Sequence, residues 1–292
     1  MRNLEPPPKN APLVQECWTT IDGARIRYQR AGSGQPLVLV HGLLGYSFSW
    51  RFNISVLAQH ATVYAPDMVG AGFSDRCSGM NCTFRGSATR LLGFVEQMGV
   101  SSFDLLGTSH GGAVAMIAAS VARDSHAAVR RLILVDAVNP YSAHGRSLAP
   151  FLGRRVVSLL FRDLFPRVTF THGYLLRRLY GEPRRISPGT LEGYTKPIAI
   201  PGSLDYALEI ARTWSHSLQD LESVLAKIAD IPTLLIWGSK DVAVDPLSAY
   251  ALQRNFHNAR LVMLDGVGHL PYEEAPDDFN RAVIDFLENE SQ

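Results

Sequence analysis

Short, continuous apolar runs recur along the chain and predict β-strands that are buried on both faces. They cover residues 36–40, 61–65, 103–106, 131–135, 233–237 and 260–264. Strands that are apolar on both faces are typical of parallel sheets covered by helices on each side. Two further runs, 18–21 and 24–29, flank Asp22-Gly23, a pair that favours a tight hairpin turn. The chain is therefore predicted to open with a β-hairpin.

Between these runs, apolar residues recur at the spacing of helices. Such patterns cover residues 50–58, 91–98 and the small-residue stretch 111–121. A last helix is predicted to begin at Pro276, with one apolar face made of Phe279, Val283, Phe286 and Leu287. Because strand and helix alternate, we predict an α/β fold with a doubly wound sheet.

The alternation stops once, between residues 140 and 221. Helical patterns at 159–165 and 174–180 are separated by prolines there, and the segment contains no strand-like run. A connection of this length is too long for a simple loop, so we predict a small helical cap over the sheet. The predicted division is a mobile proline-rich tail (1–14), a core (15–139 and 222–292) and an inserted cap (140–221).

The composition excludes several classes of protein. The chain has 292 residues, of which 46% are hydrophobic and 19% charged, so it is neither disordered nor a disulfide scaffold. A net charge of +1 gives no field that would attract nucleic acid or an anionic membrane. The chain shows no secretion signal and no membrane-spanning apolar stretch. We therefore expect a cytoplasmic protein that acts on a small molecule, with its three cysteines reduced.

The main candidate for catalysis is Ser109, which lies directly after a predicted strand and before a predicted helix. The local sequence is Gly107-Thr108-Ser109-His110-Gly111-Gly112. Glycines on both sides are needed where a tight strand-turn-helix leaves no room for side chains, and such a turn exposes the serine hydroxyl above the sheet edge. A serine that only caps the helix would not need glycines on both sides. We therefore predict that Ser109 is a nucleophile.

A serine hydroxyl needs a base at neutral pH, and histidine has a suitable pKa. His269 lies in a glycine-rich loop just beyond the predicted strand 260–264. The imidazole in turn needs a carboxylate to fix its tautomer, and Asp241 follows the strand 233–237. Asp136, at the end of the strand 131–135, stays open as an alternative, whereas Asp245 precedes Pro246 and is interpreted as a helix cap.

The remaining histidines and cysteines suggest no metal site. No set of His, Cys and acidic residues has metal-ligand spacing, so we predict no metal. We expect His41 to pack beneath its loop and the His110 side chain to point away from Ser109. The histidines predicted to lie at the surface are His60, His126 and His257.

Four segments of the chain, in this order, resemble the α/β-hydrolase family. They are His41-Gly42-Leu43-Leu44-Gly45, residues 67–75, residues 107–112, and Trp237-Gly238-Ser239-Lys240-Asp241 with Gly266-Val267-Gly268-His269. The resemblance covers residues 18–287 and implies the α/β-hydrolase fold, a Ser109-Asp241-His269 triad and no cofactor. It also implies that the backbone N–H groups of Leu43 and His110 form an oxyanion hole. Asp67 and Ser74 are interpreted as loop-bracing residues.

The resemblance also narrows the reaction. Members that act on haloalkanes and epoxides carry an aspartate at the elbow, the tight turn between strand and helix where this chain has Ser109. Ser109 therefore favours a serine hydrolase that cleaves a small or medium carboxylic ester. One alternative is hydrolysis of a carbon–carbon bond in ring-cleavage keto acids, although relatives with that activity usually have an aromatic residue where this chain has Leu270. Cofactor-free haloperoxidase-like and lactonase members have the same triad, so the motifs do not separate them from esterases. A further alternative, from a different class of function, is a small-molecule receptor on the same fold.

The predicted cap is locally basic. Between residues 151 and 185 there are eight arginines, at 154, 155, 162, 167, 177, 178, 184 and 185, against Asp163 and Glu182. One interpretation pairs an arginine with a carboxylate on the substrate, as the keto-acid alternative requires. The interpretation that we favour places them on the solvated face of amphipathic helices.

Overall fold

The structure is a computed structural model and describes residues 12–123, 127–143 and 169–289. An eight-stranded sheet forms its centre, in the order β1-β2-β4-β3-β5-β6-β7-β8. The strands are β1 (Gln15–Ile21), β2 (Ala24–Ala31), β3 (Pro36–Val40), β4 (Thr62–Pro66), β5 (Ser102–Thr108), β6 (Ala128–Val135), β7 (Thr233–Gly238) and β8 (Ala259–Leu264). Only the β1–β2 and β2–β4 pairings are antiparallel.

The predicted strands and the opening hairpin are confirmed. Asp22 and Gly23 join β1 to β2 with positive φ angles of 49° and 80°, as a tight two-residue hairpin turn requires. The six predicted buried strands are all present, and their ends lie within three residues of the predicted ones. Central residues such as Leu39, Leu105 and Leu235 are fully buried, because helices cover both faces of the sheet.

The described residues form nine α-helices. They are α1 (Ile54–Leu57), α2 (Phe84–Gln97), α3 (His110–Ala122), α4 (Thr169–Leu179), α5 (Thr190–Ile198), α6 (Ser203–Val224), α7 (Leu247–Gln253), α8 (Pro271–Glu274) and α9 (Pro276–Asn289). Residues of α2, α3 and α6 share one buried apolar cluster, and residues of α1 and α9 share the other. The doubly wound arrangement is therefore confirmed. None of the described helices combines the length and apolarity needed to cross a bilayer.

The predicted helix over residues 50–58 is wrong in detail. A 3-10 turn, Ser47–Trp50, is followed by the short helix α1, and Asn53 lies between them. The Asn53 side chain donates hydrogen bonds to the Tyr272 carbonyl at 3.1 Å and to the Asn280 side chain at 2.9 Å. These long-range bonds hold Asn53 in a non-helical conformation, and a helical periodicity cannot reveal them.

The described residues of the predicted cap, 140–143 and 169–221, contain helices and no strand. Here the name "inserted helices" means α4, α5 and α6 with the 3-10 turn Pro183–Arg185. The predicted helix at 174–180 corresponds to α4, whereas the one at 159–165 lies outside the described residues. Helix α6 continues to Val224, beyond the predicted boundary at 221.

Candidate active site

Ser109 lies in a strained turn between β5 and α3. Its φ and ψ angles are 53° and −122°, a region that side-chain-bearing residues rarely adopt. The turn is held from the neighbouring strand, because the Ser109 N–H donates to the Val135 carbonyl at 2.9 Å. The Ser109 carbonyl also accepts from the N–H of Val138 at 3.0 Å. The strain is thus maintained by fixed backbone partners.

Crowding explains the glycines around Ser109, as predicted. A Cβ on Gly107 would lie 2.3 Å from the Gly111 carbonyl oxygen. A Cβ on Gly111 would lie 2.4 Å from the carbonyl oxygen of His41, and one on Gly112 would lie 2.4 Å from the Cβ of Ala137. Each position therefore excludes any larger residue, and the sequence pattern reflects packing of strand, loop and helix.

His269 and Asp241 form a buried, hydrogen-bonded pair. The Nδ1 atom of His269 lies 2.8 Å from Oδ2 of Asp241. The other Asp241 oxygen accepts from the N–H groups of Ala243 and Val244, at 2.7 and 3.1 Å. Because a carboxylate only accepts hydrogen bonds, Nδ1 carries the ring proton and Nε2 is left as the basic nitrogen.

The loops that carry this pair pack directly on each other. A Cβ on Gly238 would lie 2.0 Å from the carbonyl oxygen of Gly268. The N–H of Lys240 donates to the Val267 carbonyl at 2.9 Å. Because a side chain at Gly238 has no room, this glycine allows the loop after β7 to approach the loop after β8 closely enough for the pair to form.

Asp136 lies beside the pair and does not replace Asp241 as the direct partner of His269. It follows β6, is fully buried, and accepts a hydrogen bond from the Gly238 N–H at 3.0 Å. One oxygen of each aspartate and one ring nitrogen of His269 lie within 4.8 Å of one another. Burial, and next the Asp241 carboxylate, raise the pKa of Asp136 well above its ordinary value. The other alternative, Asp245, lies one residue before Pro246, the N-cap of α7, and its carboxylate accepts from the Leu247 N–H at 3.0 Å.

The sheet order brings these residues to one edge. Strands β5, β6, β7 and β8 are neighbours and run parallel, and Ser109, Asp136, Asp241 and His269 each follow one of them. The carboxyl ends of parallel strands meet at the same edge, which is where open α/β sheets place their sites.

The loop after β3 lies against Ser109. A Cβ on Gly42 would lie 3.2 Å from the Cβ of Ser109, and the Gly45 N–H closes a turn onto the Gly42 carbonyl at 3.0 Å. Within the described residues, the N–H groups of Leu43 and His110 donate to no protein acceptor. The His110 N–H also opens α3, where the helix dipole favours negative charge. These two groups can therefore bind an anion that develops beside Ser109.

His41 and His110 are buried, burial lowers the pKa of both imidazoles, and the ring contacts that they make are with residues other than Ser109. The His41 ring accepts a hydrogen bond from the Met68 N–H at Nε2, at 3.0 Å, so its Nδ1 carries the proton and donates to the Gly42 carbonyl at 2.8 Å. Burial lowers the pKa of His41. The His110 ring packs edge-on against Phe84, and burial lowers its pKa to about 3. The hydrogen bonds of His41 agree with its predicted place beneath the loop, and the His110 ring packs against Phe84.

Asp67 braces the loop after β4, as predicted. Its carboxylate accepts from the N–H groups of Ser47 and Phe73, at 2.8 and 2.9 Å, and pairs with Arg27 at 3.2 Å. The Ser74 hydroxyl donates to the Asp67 carbonyl at 2.6 Å. These bonds tie the loop to the segment after β3.

The sequence reasoning missed two buried acids, Glu273 and Glu274 of α8. Glu273 forms a two-pronged ion pair with Arg51, at 2.8 and 2.9 Å, and accepts from the hydroxyls of Tyr180 and Tyr194. Two acids after a proline usually lie in the first turn of an exposed helix, where the dipole favours them. The only signal in the sequence is their apolar surroundings.

Glu274 connects the inserted helices to the loop of His269. Its oxygens accept from the N–H groups of Gly181, Glu182 and Gly268, at 2.9, 2.8 and 2.8 Å. Its side chain is fully buried and also lies 3.4 Å from Arg185. A buried carboxylate with three backbone donors is well satisfied, so these segments are held together firmly.

The basic stretch is mostly solvated where the structure describes it. Arg177, Arg178 and Arg184 are exposed, and Arg185 pairs with Glu274. This agrees with the favoured interpretation of a solvated face, and arginines 154, 155, 162 and 167 lie outside the described residues. The surface histidines His60 and His257 pair with Glu288 and Asp230, whereas His126 lies outside the described residues. The three cysteines form no disulfide.

Comparison with known proteins gives a consistent fold family. The model of the α/β-hydrolase fold family matches residues 35–276. Haloalkane dehalogenase 2 of Mycobacterium tuberculosis is 29% identical over 296 residues, covering 97% of this chain and 98% of that protein. The soluble epoxide hydrolase of Corynebacterium sp. is 28% identical over 270 residues, covering 88% and 91%. The malate-bound structure of a thermophilic esterase from Thermogutta terrifontis superimposes with a TM-score of 0.79 and 26% identity, covering 95% and 100%.

Proposed function

Because the chain belongs to the α/β-hydrolase fold family, we propose that it is a serine hydrolase that cleaves a small or medium carboxylic ester. Ser109 is the nucleophile, His269 the general base, and Asp241 the acid that orients the imidazole. The observation that carries this proposal is the 2.8 Å bond between His269 and Asp241, at the sheet edge where the strained turn presents Ser109.

The reaction proceeds in two halves. The Ser109 hydroxyl attacks the ester carbonyl while Nε2 of His269 takes its proton, and the Asp241 carboxylate stabilises the imidazolium. The N–H groups of Leu43 and His110 bind the negative oxygen of the tetrahedral intermediate, and losing one such donor costs about 3–4 kcal/mol. His269 then protonates the leaving alcohol. Water, activated by the same imidazole, releases the acid and restores Ser109.

A serine at position 109 argues against dehalogenation and epoxide hydrolysis, the reactions named for two of the relatives, as the reaction of this chain. Attack of a serine oxygen on a haloalkane or an epoxide carbon would form an ether, which has no carbonyl for water to attack. Attack on a carboxylic ester forms an acyl-enzyme, which water can hydrolyse. A serine nucleophile therefore favours acyl transfer over dehalogenation or epoxide opening.

We further propose that the segment 140–221 is a cap that selects the substrate. In the described part, the loops at Leu44 and Ala71 face Pro197, Ile198 and Tyr206 of the inserted helices across a narrow crevice. The lining is largely apolar and adjoins the loop proposed to bind the oxyanion. The crevice has a volume of about 20 Å³, room for about one water molecule, so the apolar character of its lining supports the proposal and its size does not.

Fluorophosphonate labelling followed by peptide mapping tests the proposal. The probe phosphonylates an activated serine, so we expect a single modified residue, Ser109, and no labelling of the S109A variant. The exposed Ser101 provides a matched control, and S101A should label like the wild type. Labelling confined to another residue would refute the proposed nucleophile.

A substrate comparison tests the bond that is cleaved. We expect hydrolysis of short-chain chromogenic esters, with a larger kcat/KM than for vinylogous keto acids, and loss of both activities in S109A. Preference for the keto acids would support carbon–carbon hydrolysis instead. Thermal stabilisation by an ester-like ligand that is bound and never turned over would support a receptor.

A further inference from the structure

The Asp136 carboxyl group occupies a position in which one oxygen lacks a donor. Oδ1 accepts from the Gly238 N–H at 3.0 Å, whereas Oδ2 is buried and receives no hydrogen bond from any described residue. The Asp241 carboxylate is a close neighbour. One oxygen of Asp136, one oxygen of Asp241 and one ring nitrogen of His269 all lie within 4.8 Å of one another. A second carboxylate can satisfy this oxygen only if a proton lies between the two acids.

The two carboxylates differ in the number of hydrogen bonds that they accept. Asp241 accepts from Ala243, Val244 and Nδ1 of His269, three N–H groups in all. Asp136 accepts from one. Two ionised carboxylates so close together in a buried site repel strongly, so one is protonated, and the acid with fewer donors gives up its charge more readily.

We propose that Asp136 is a neutral carboxylic acid that donates its proton to the Asp241 carboxylate and thereby positions the Asp241–His269 pair. The positioning role rests on the proposed function, in which His269 is the general base. Asp136 is a positioning residue and touches no substrate. Its hydrogen bond adds a fourth donor to Asp241 and fixes the orientation of the carboxylate that holds His269.

The groups that face Asp136 support the neutral form. Asp241 and Glu274 are acids, Tyr272 stays neutral because burial raises its pKa, and His269 shares its Nδ1–H with Asp241. Glu274 itself is held by backbone donors and Arg185. No cation stands next to Asp136 among the described residues, so nothing nearby compensates for a second negative charge.

A single negative charge beside His269 also suits the chemistry. A second carboxylate beside His269 would stabilise the imidazolium further relative to the neutral ring. The imidazolium would then give up its proton to the leaving alcohol less readily, because a general acid and base works best with a pKa near the working pH. A protonated Asp136 supplies a hydrogen bond without that charge.

Infrared difference spectroscopy tests the protonation state directly. At neutral pH, the spectrum of the wild type minus that of D136N should contain the carbonyl stretch of a protonated carboxyl group. A difference spectrum with only carboxylate bands would overturn the proposal. The comparison can be repeated in the S109A background, where catalysis plays no part, so that this result does not depend on the outcome for Ser109.

Folding stability provides a second readout that is independent of activity. If Asp136 stays protonated when folded, the wild type must take up a proton on folding above the ordinary aspartate pKa of about 3.9. The free energy of unfolding of the wild type therefore falls as pH rises above this value, whereas D136N has no carboxyl group there and does not show this fall. We expect the melting temperature of D136N, relative to the wild type, to increase from pH 5 to pH 8. A difference that does not change with pH would contradict a proton on Asp136.

Activity measurements test positioning. D136A removes the donated hydrogen bond and should lower kcat/KM by about tenfold or more, since bonds to charged groups are the stronger ones. The amide of D136N can donate in the same way and should rescue most of this loss, with the acidic limb of the pH profile unmoved. If the acidic limb of the D136N profile lies at lower pH than that of the wild type, Asp136 is ionised in the wild type and the proposal is wrong. If D136A does not fold, the comparison of D136N with the wild type still decides between these results.

Discussion

The backbone of Gly268 lies directly against the backbone of Gly181. A Cβ on Gly268 would lie 2.4 Å from the Gly181 nitrogen and 2.3 Å from the Leu179 carbonyl oxygen. The same carbonyl accepts a hydrogen bond from the His269 N–H at 2.7 Å. The end of α4 is therefore part of the support for His269, so the inserted helices do more than cover the sheet.

Replacing Gly268 by alanine should separate these two backbones. We expect G268A to lose about 1–3 kcal/mol of stability, as overpacked sites do, because both neighbours are backbone atoms. Displacement of His269 should lower kcat about a hundredfold. Chemical denaturation and ester kinetics provide the two measurements.

Gly173 in α4 serves as the matched control for G268A. A Cβ there would lie 3.6 Å from a Leu191 methyl group, which is ordinary contact. G173A should leave activity unchanged and stabilise the helix by about 0.5–1 kcal/mol. Equal effects of the two substitutions would contradict the proposed coupling between α4 and the loop of His269.

Removing the Glu274 carboxylate should weaken the same junction. E274A leaves the N–H groups of Gly181, Glu182 and Gly268 without their acceptor; the Gly268 bond is buried and the other two are partly buried. Because a buried unsatisfied donor costs about 1–3 kcal/mol, we expect a loss of about 2–4 kcal/mol in urea unfolding. E288A, at an exposed acid paired with His60, should change stability by about 1 kcal/mol or less.

The Arg51–Glu273 pair should behave as a buried anchor between core and inserted helices. Arg51 also donates to the Thr190 hydroxyl at 2.9 Å, so it contacts α5 directly. R51M leaves the buried Glu273 carboxylate without its cation and should cost about 3–5 kcal/mol. R85M breaks a more exposed pair with Asp220 and should cost about 1 kcal/mol or less. Equal losses in both variants would show that burial of the Arg51 pair is unimportant.

Much of the fold and the geometry around Ser109 could be predicted from local sequence. Residues 36–40 are apolar at every position because β3 is covered on both faces, and the glycines at 107, 111 and 112 are required by contacts within one strand-turn-helix. The His269–Asp241 contact followed from chemistry and from the parallel sheet, since both residues come directly after neighbouring strands.

The features that escaped prediction depend on contacts between distant segments. Glu273 resembles an ordinary first-turn acid until the fold places Arg51 beside it, 222 residues away along the chain. Asn53 interrupts a helical pattern because its partner Asn280 lies in the last helix. The environment of Asp136 likewise depends on the loops that follow β7 and β8, and no local pattern reports it.

Acid should destabilise the protein partly through His110. Burial lowers the pKa of His110 to about 3, whereas an unfolded histidine has a pKa of about 6.5. Between these values the unfolded chain binds a proton that the folded chain does not, so stability falls as pH drops through the window. The slope from this residue is about 1.4 kcal/mol per pH unit. H110M should reduce the slope by about one proton, and H257Q, at an exposed histidine, should not. Parallel curves for H110M and the wild type would contradict a buried, neutral His110.

The choice of catalytic acid can be tested by comparing three aspartates. D241N keeps the size of the side chain but removes the charge that holds Nδ1–H of His269, so kcat should fall by about 10⁴-fold, the loss seen when a triad acid becomes an amide. D245N, at the residue that precedes the N-cap of α7, should change stability slightly and leave kcat unchanged. D136N should lose far less than D241N, because its amide can still donate to the Asp241 carboxylate. A larger loss in D136N than in D241N would assign the acid to Asp136 instead, and ester kinetics on the three variants distinguish these results.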